Sequence, residues 1–281
     1  MKIAIIGMGR VGASIAYGIV MKGLCDHLML ANRTTSTAAG DAGDLQHGLA
    51  FCQHATQITS GAIADAKNAD IVVLTTSAPI TKAIKSRMEL GIANIALFKE
   101  LIPVITNNNP NAILIVVSNQ VDALTRLTTE LSGFPSSQVI GIGTLIDSAR
   151  FRVMLSQIEK IHPDDLRAYV VGEHGPNQFP IFSQAVFSSA TINENPLHRE
   201  VFDQVYEAGF KVYHDKGYIN FAIANASCEV IRTIVHDEHR TMCPYVLILM
   251  NGWTLAIIVL AFQWSSVDEE FYAIYIPNAE Q

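Results

Sequence analysis

The side chain best suited to proton transfer in this chain is the histidine of Val171-Gly172-Glu173-His174-Gly175-Pro176-Asn177. An imidazole changes charge near neutral pH, so it can give or take a proton under ordinary conditions. His174 follows the apolar run Tyr169-Val170-Val171, and the pattern predicts a strand ending in a tight, glycine-permitted loop. A lone histidine is more often a solvated or capped residue. The reading changes with Asp147 and Arg150, which share one predicted helix in Leu145-Ile146-Asp147-Ser148-Ala149-Arg150-Phe151-Arg152. A carboxylate can orient an imidazole, and a planar guanidinium can hold a substrate carboxylate through two parallel hydrogen bonds. In isolation the same pair reads as a local i,i+3 helix ion pair. Taken with His174, it points to proton transfer on a small acid.

The redox partner for such chemistry is written at the other end of the chain. A predicted strand, Lys2 to Ile6, runs into Gly7-Met8-Gly9-Arg10-Val11-Gly12 and a small-residue helix, Ala13 to Lys22. This is G-x-G-x-x-G between a strand and a helix, the context in which the motif binds a dinucleotide. Gly7 permits the turn, Gly9 lets backbone approach a pyrophosphate, and Gly12 lets helix and strand pack closely. A second predicted strand, His27 to Ala31, ends at Asn32-Arg33-Thr34, where NAD-binding versions of the motif carry Asp or Glu. Without that carboxylate a 2′-phosphate is not repelled, and Arg33 could pair with it, which favours NADP over NAD. The alternative is that Asn32 bonds the ribose and Arg33 is merely solvated.

The elements between these sites alternate. A buried strand over Asp70–Thr75, a helix over Met88–Val104 and a strand over Ala112–Val117 imply a parallel sheet with right-handed crossovers. The polar stretch 76–86, which leads into Arg87, has the length of a functional lid. Asn119, in Val116-Val117-Ser118-Asn119-Gln120-Val121-Asp122, either donates to substrate or cofactor or caps the following helix. The sheet finishes near Val139–Gly141, so the chain divides into a dinucleotide-binding domain, 1–141, and a substrate domain, 142–281. The second half reads as a helix over 145–158, the strand before His174, and helices over 198–225 and 226–235. Ser266-Val267-Asp268-Glu269 resembles a capping box opening a final helix.

Composition excludes several classes. The chain has 281 residues, 49% hydrophobic and 16% charged, so it has ample apolar surface for a globular core. A formal net charge of −7, without a basic cluster, argues against nucleic acid and anionic membranes as partners. Cys25, Cys52, Cys228 and Cys243 show no metal-binding or C-x-x-C spacing, and free thiols fit a reducing cytoplasm. No secretory signal is expected at the N-terminus. Pro244–Phe262 is uncharged and about long enough to span a bilayer. Asn251-Gly252 at its middle is a hairpin signal, however, so strands over Tyr245–Met250 and Thr254–Phe262 are expected instead of a membrane helix.

These motifs together resemble the L-lactate/malate dehydrogenase family. The resemblance rests on Gly7–Gly12, Gly40–Gly48, Val117-Ser118-Asn119, Leu145–Arg152 and Gly172-Glu173-His174-Gly175, with Asp147 and His174 spaced 27 apart. It implies an α/β, Rossmann-type doubly wound parallel sheet with a C-terminal α+β substrate domain. It implies hydride transfer between a nicotinamide cofactor, NADP or NAD, and C2 of a small 2-oxo/2-hydroxy acid. His174 would be the general acid, Asp147 its orienting partner and Arg87 the group polarising the carbonyl. Arg150, Asn119 and Thr81 would bind substrate. The implied cofactor contacts are Gly7, Gly9, Arg10, Val11, Gly12, Asn32, Arg33, Thr34, Thr75, Thr76, Ser77, Val117 and Asn119. The family and the two-sided apolar hairpin favour a homodimer or homotetramer.

The departures bear on specificity. Thr81 stands where lactate enzymes resemble one another in Gln and malate enzymes in Arg, so a second substrate carboxylate lacks its partner unless Lys82 or Lys85 supplies one. Ile80 replaces an arginine of the lactate-type loop, and Gln120 replaces the usual proline after Asn119, removing the ordinary reason for a cis peptide there. A monocarboxylic or otherwise unusual 2-oxo acid is therefore expected. The competing readings are a reductase of an imine or carrier-bound keto group on the same scaffold, and a non-catalytic dinucleotide-binding homologue. A metal-assisted glycosidase of related fold is disfavoured by the lack of a Cys/His cluster.

Overall fold

The computed structural model describes residues 1–79, 87–188, 190–240, 242, 248–250 and 253–255. They form two compact units, Met1–Ile142 with Asn220–Glu238, and Gly143–Ile219 with the chain from His239 onward. In the first unit β1 (Lys2–Ile6), α1 (Arg10–Lys22), β2 (His27–Ala31), α2 (Thr35–Gly48), β3 (Gln57–Gly61) and β4 (Ile71–Leu74) come first. They are followed by α3 (Arg87–Asn108), β5 (Ile113–Val116), α4 (Val121–Ser132) and β6 (Val139–Gly141). The strands make one six-stranded sheet in the order β3-β2-β1-β4-β5-β6, every pairing parallel.

This is the doubly wound Rossmann arrangement. The strand order reverses between β1 and β4, so a crevice opens beyond their carboxyl ends, where such sheets bind ligands. Parallel strands are covered on both faces and so read as unbroken apolar runs. β4 and β5 are buried at every residue, and Ile3, Ile5, Ile6, Leu28 and Leu30 are fully buried. Under α3 and α4 the core closes on Phe98, Ile102, Ile105, Val121 and Leu124.

The second unit contains α5 (Leu145–Glu159), β7 (Leu166–Arg167), β8 (Val170–Gly172), β9 (Gln178–Pro180), β10 (Val186–Phe187), β11 (Ala190–Thr191) and α6 (Pro196–Lys216). Short antiparallel pairings join β8 to β9, and β7 and β11 to β10. α5 and α6 pack through Phe151, Leu155, Val201 and Val205. Phe151 meets Phe182 and Phe202 edge-on, with ring centroids 5.6 Å and 5.8 Å away. Such aromatic pairs add about 0.5–1.5 kcal/mol each beyond area burial.

Several expectations need correction. The helical region after residue 195 does not break at 225/226. It breaks at Gly217, whose left-handed φ of +83° ends α6 while its N–H donates to the Tyr213 carbonyl (2.7 Å). The chain then starts α7 (Phe221–Val235), which groups with the first compact unit. The reason is burial: α7 sets Ala224, Cys228, Val230, Ile231 and Ile234 in apolar surroundings against α1. The fit is close, because a β-carbon on Gly18 would lie 2.7 Å from the Cys228 sulfur. α3, with Pro103 inside it, continues past Val104 to Asn108, and α2 and β3 fill a stretch the sequence pattern left without elements. The Asn119–Gln120 peptide is cis although residue 120 is not proline.

The predicted hairpin is present where it is described. β12 (Ile248–Met250) pairs antiparallel with β13 (Trp253–Leu255), with Met250 opposite Trp253. The predicted turn, the outer ends of both predicted strands, Cys243 and the predicted helix from Ser266 lie outside the described residues. Among the described residues no helix is long and apolar enough to cross a membrane.

Burial also sets the thiol chemistry. Desolvation pushes the Cys25 thiol up to about 12 and the Cys228 thiol up to about 11. We therefore predict that a thiol reagent at pH 8 modifies Cys52, which is partly exposed, but leaves Cys25 and Cys228 untouched until denaturant is added. The same shift raises folded above unfolded values, so stability should decline as pH climbs above the ordinary thiol value of 9.0 toward about 11–12. Peptide mapping after labelling, and urea midpoints taken across that window, check both outcomes.

Candidate active site

The first unit places the dinucleotide fingerprint at the switch point of its sheet. Gly7 ends β1 with φ +107°, and α1 starts at Arg10 with Gly9 as its N-cap. Gly12 is where helix and strand touch, and a β-carbon there would lie 2.0 Å from the Gly7 carbonyl oxygen. Among the described residues nothing comes within 4 Å of the corresponding point on Gly9, so the backbone there is open to them. α1 has no side-chain cap and no acidic residue in its first turn. Its first N–H groups and the positive end of its dipole are thus set to receive an anion.

The walls of this cradle come from neighbouring strand ends. The Thr75 hydroxyl donates to the Gly7 carbonyl at 2.6 Å. The Thr76 hydroxyl is buried and, among the described residues, has no hydrogen-bond partner, a costly state that a bound polar ligand would relieve. Asn32 ties β2 to the glycine turn: its Oδ1 accepts from the Met8 N–H (3.3 Å) and its Nδ2 donates to the Thr34 carbonyl (3.2 Å). Arg33 and Thr34 are exposed beside it. The open turn, the uncapped helix start and the orphaned hydroxyl fit a dinucleotide. Arg10 is exposed and Val11 half-buried at the mouth.

On the opposite side of the switch point Val117 is buried and Asn119 exposed. Gln120, not Asn119, is the N-cap of α4, and it makes no side-chain cap bond. Asn94 was not anticipated from sequence. It is buried on α3, accepts from the Ala78 N–H (2.7 Å) and the Ser77 hydroxyl (3.3 Å), and donates to the Asn119 carbonyl (2.6 Å). One amide thereby fixes both strand-end loops. An asparagine inside a helix is a poor helix former, and that was the available signal. Arg87 is the first residue of α3, and its side chain, like Thr81, Ile80, Lys82 and Lys85, falls outside the described part.

The second unit brings Asp147, Arg150 and His174 together. Asp147 lies in the first turn of α5 and is 2% exposed. Its Oδ2 is 2.5 Å from His174 Nδ1, and its Oδ1 accepts from Arg150 Nη1 at 2.8 Å. The local i,i+3 ion pair and the orienting contact to the imidazole are therefore one arrangement sharing one carboxylate. A carboxylate in a first helical turn gains about 0.3–1 kcal/mol from the helix dipole.

His174 sits in the loop between β8 and β9. Gly172 turns the chain with φ +97°, where a β-carbon would lie 2.5 Å from the Asn177 carbonyl oxygen, so only glycine fits. The Asn177 amide donates to Glu173 Oε2 (2.7 Å) and closes the loop. Ser148 is the second residue missed in the sequence. Its buried hydroxyl oxygen accepts from the Val170 N–H at 2.9 Å, locking the start of α5 to β8 and hence Asp147 to the histidine loop. The Arg150 guanidinium lies against Gly209 of α6.

With this geometry in view, similarity to known proteins can be read. Residues 1–141 match the lactate/malate dehydrogenase NAD binding domain, and residues 144–251 match that family's alpha/beta C-terminal domain. The chain belongs to the lactate/malate dehydrogenase family. Its similarity to an L-lactate dehydrogenase of Gloeobacter violaceus is 36% identity over 261 residues, 89% of this chain and 78% of that protein. An L-lactate dehydrogenase 1 of Clostridium acetobutylicum is also 36% identical, over 86% of this chain and 80% of its own length. Among solved structures, a lactate dehydrogenase from a Medee basin deep-sea metagenome library superimposes with a TM-score of 0.84 at 28% identity, covering 94% of this chain and 92% of that one. The protein is thus a lactate dehydrogenase-like oxidoreductase.

The cradle gives a direct prediction. Gly12→Ala should destabilise the fold by about 3 kcal/mol or more, because the added carbon collides with backbone that cannot yield. Urea denaturation of the variant, with NADH binding measured below its midpoint, should show both losses together.

Proposed function

We propose that the protein reduces a small 2-oxo acid to its L-2-hydroxy acid. The observation that carries this reading is the buried Asp147 carboxylate joined to both His174 and Arg150. When bound, the dinucleotide supplies the hydride that C2 receives. Protonated His174 gives its Nε2 proton to the substrate oxygen as the carbonyl is reduced, and leaves as neutral imidazole. Asp147 keeps the ring in one orientation and balances its positive charge before transfer. Arg150, held on one side by Asp147, grips the substrate carboxylate and turns an encounter into an aligned reactant. Arg87, at the start of α3, is assigned to polarise the carbonyl, and Asn119 to bind beside it.

Thr81 carries no charge to meet a second carboxylate, which supports a monocarboxylic substrate such as the one named for the L-lactate dehydrogenase relatives. The missing acid after β2 and the exposed Arg33 support use of NADP as well as NAD. The uncharged hairpin region supports a homodimer or homotetramer, and the unpaired buried thiols support a cytoplasmic setting.

Purified protein offered a panel of 2-oxo acids should consume NADH or NADPH, followed by absorbance at 340 nm. His174→Ala should lower kcat by roughly 10²–10⁴-fold with cofactor binding retained; near-normal turnover in that variant would remove the assignment. Arg33→Ala should raise the KM for NADPH about tenfold, the worth of one charge-assisted hydrogen bond, while leaving that for NADH nearly unchanged. Equal losses for both cofactors would count against the phosphate contact.

A further inference from the structure

Asn220 is the first residue of the segment that returns to the first unit, and it is the N-cap of α7. Asparagine at an N-cap ordinarily accepts a hydrogen bond from the second or third helical N–H. Here its side chain makes no such bond. The residue is 7% exposed, and its Nδ2 donates instead to the Ser14 hydroxyl oxygen at 2.7 Å, a partner 206 positions earlier in the chain. The Ser14 hydroxyl in turn donates to the Arg10 carbonyl at 2.8 Å.

The direction of this relay is fixed by counting hydrogens. A serine hydroxyl carries one, and Ser14 uses it on Arg10, so its oxygen can only accept from Asn220. The relay ends on the first residue of α1, directly after the open Gly9 turn. That turn has no capping side chain of its own, so its orientation depends on what grips the helix one turn further along.

We propose that Asn220, acting through Ser14, is a positioning residue for the cofactor: it holds the first turn of α1 so that its backbone N–H groups face the pyrophosphate. This rests on the dinucleotide-binding reading of the cradle. It gives Asn220 a purpose that capping does not supply, and it makes α7 part of the cofactor apparatus as well as of the core.

The test is fluorescence titration of NADH and NADPH into wild type, Ser14→Ala, Asn220→Ala, the double variant and Ser14→Thr, with the ligand-free Tm of each. Each single alanine variant should raise Kd about three- to tenfold, the worth of one lost hydrogen bond in a buried relay. The double variant should be no weaker than the worse single one, because both break the same relay. Ser14→Thr keeps the hydroxyl and should bind within about twofold of wild type. A lowered Tm with unchanged Kd, or losses that multiply in the double variant, would overturn the proposal and leave the cofactor reading intact. Wild-type protein that binds neither dinucleotide would overturn the cofactor reading itself, and the proposal with it.

Discussion

A carboxylate removed from water has to be paid for by charge and hydrogen bonds, and the candidate site is built around one that is. Asp147 is almost fully buried, and each of its oxygens faces a cationic or ionisable partner. Losing one partner of a buried pair commonly costs about 3–5 kcal/mol, since the remaining charge is stranded. The arrangement is therefore self-enforcing: the imidazole and the guanidinium cannot drift without exposing the carboxylate to an uncompensated environment. Ser148 extends the constraint to the backbone by joining the start of α5 to β8, and Gly172 allows the loop that carries His174 to turn back into β9. An imidazole and a guanidinium are thus held by the same group, which suits the proposed reaction, in which both grip one small molecule.

The first unit solves a different electrostatic problem with fewer charges. Its cradle for an anion uses backbone N–H groups and a helix end, not a cluster of basic side chains, which is consistent with a chain of net charge −7. Such a site works only if the helix approaches the strand closely and nothing caps its start. Gly12 meets the first condition, and Gly9, with no acid in the first turn, meets the second. The supports come from far along the chain: Asn94 on α3 holds the loops after β4 and β5, and Asn220 reaches Ser14 from α7.

Much of this fold was legible in the sequence, and the reason differs by element. β4 and β5 read as unbroken apolar runs because both faces of a central parallel strand are covered. β3 did not, since an edge strand written Gln57-Ile58-Thr59-Ser60-Gly61 buries only Ile58 fully and carries little periodic signal. The break after α6 was misplaced because the apolar pattern runs on across it, while the stop is a backbone property of Gly217. The cis peptide at Asn119–Gln120 had no proline to announce it.

Residue types and spacing by themselves determined that the chain carries a dinucleotide fingerprint between a strand and a helix, and an acid, a guanidinium and an imidazole in a family-like order. These are local or ordinal properties, and a sequence records them directly. Only the tertiary structure decided that Asp147 divides its two oxygens between Arg150 and His174, that Ser148 and Asn94 lock the loops, and that α7 returns to pack on α1. Those depend on which distant segments share a core and on where single buried hydrogen bonds find partners, and burial and partnership are set by the whole chain in three dimensions, not by neighbours along it.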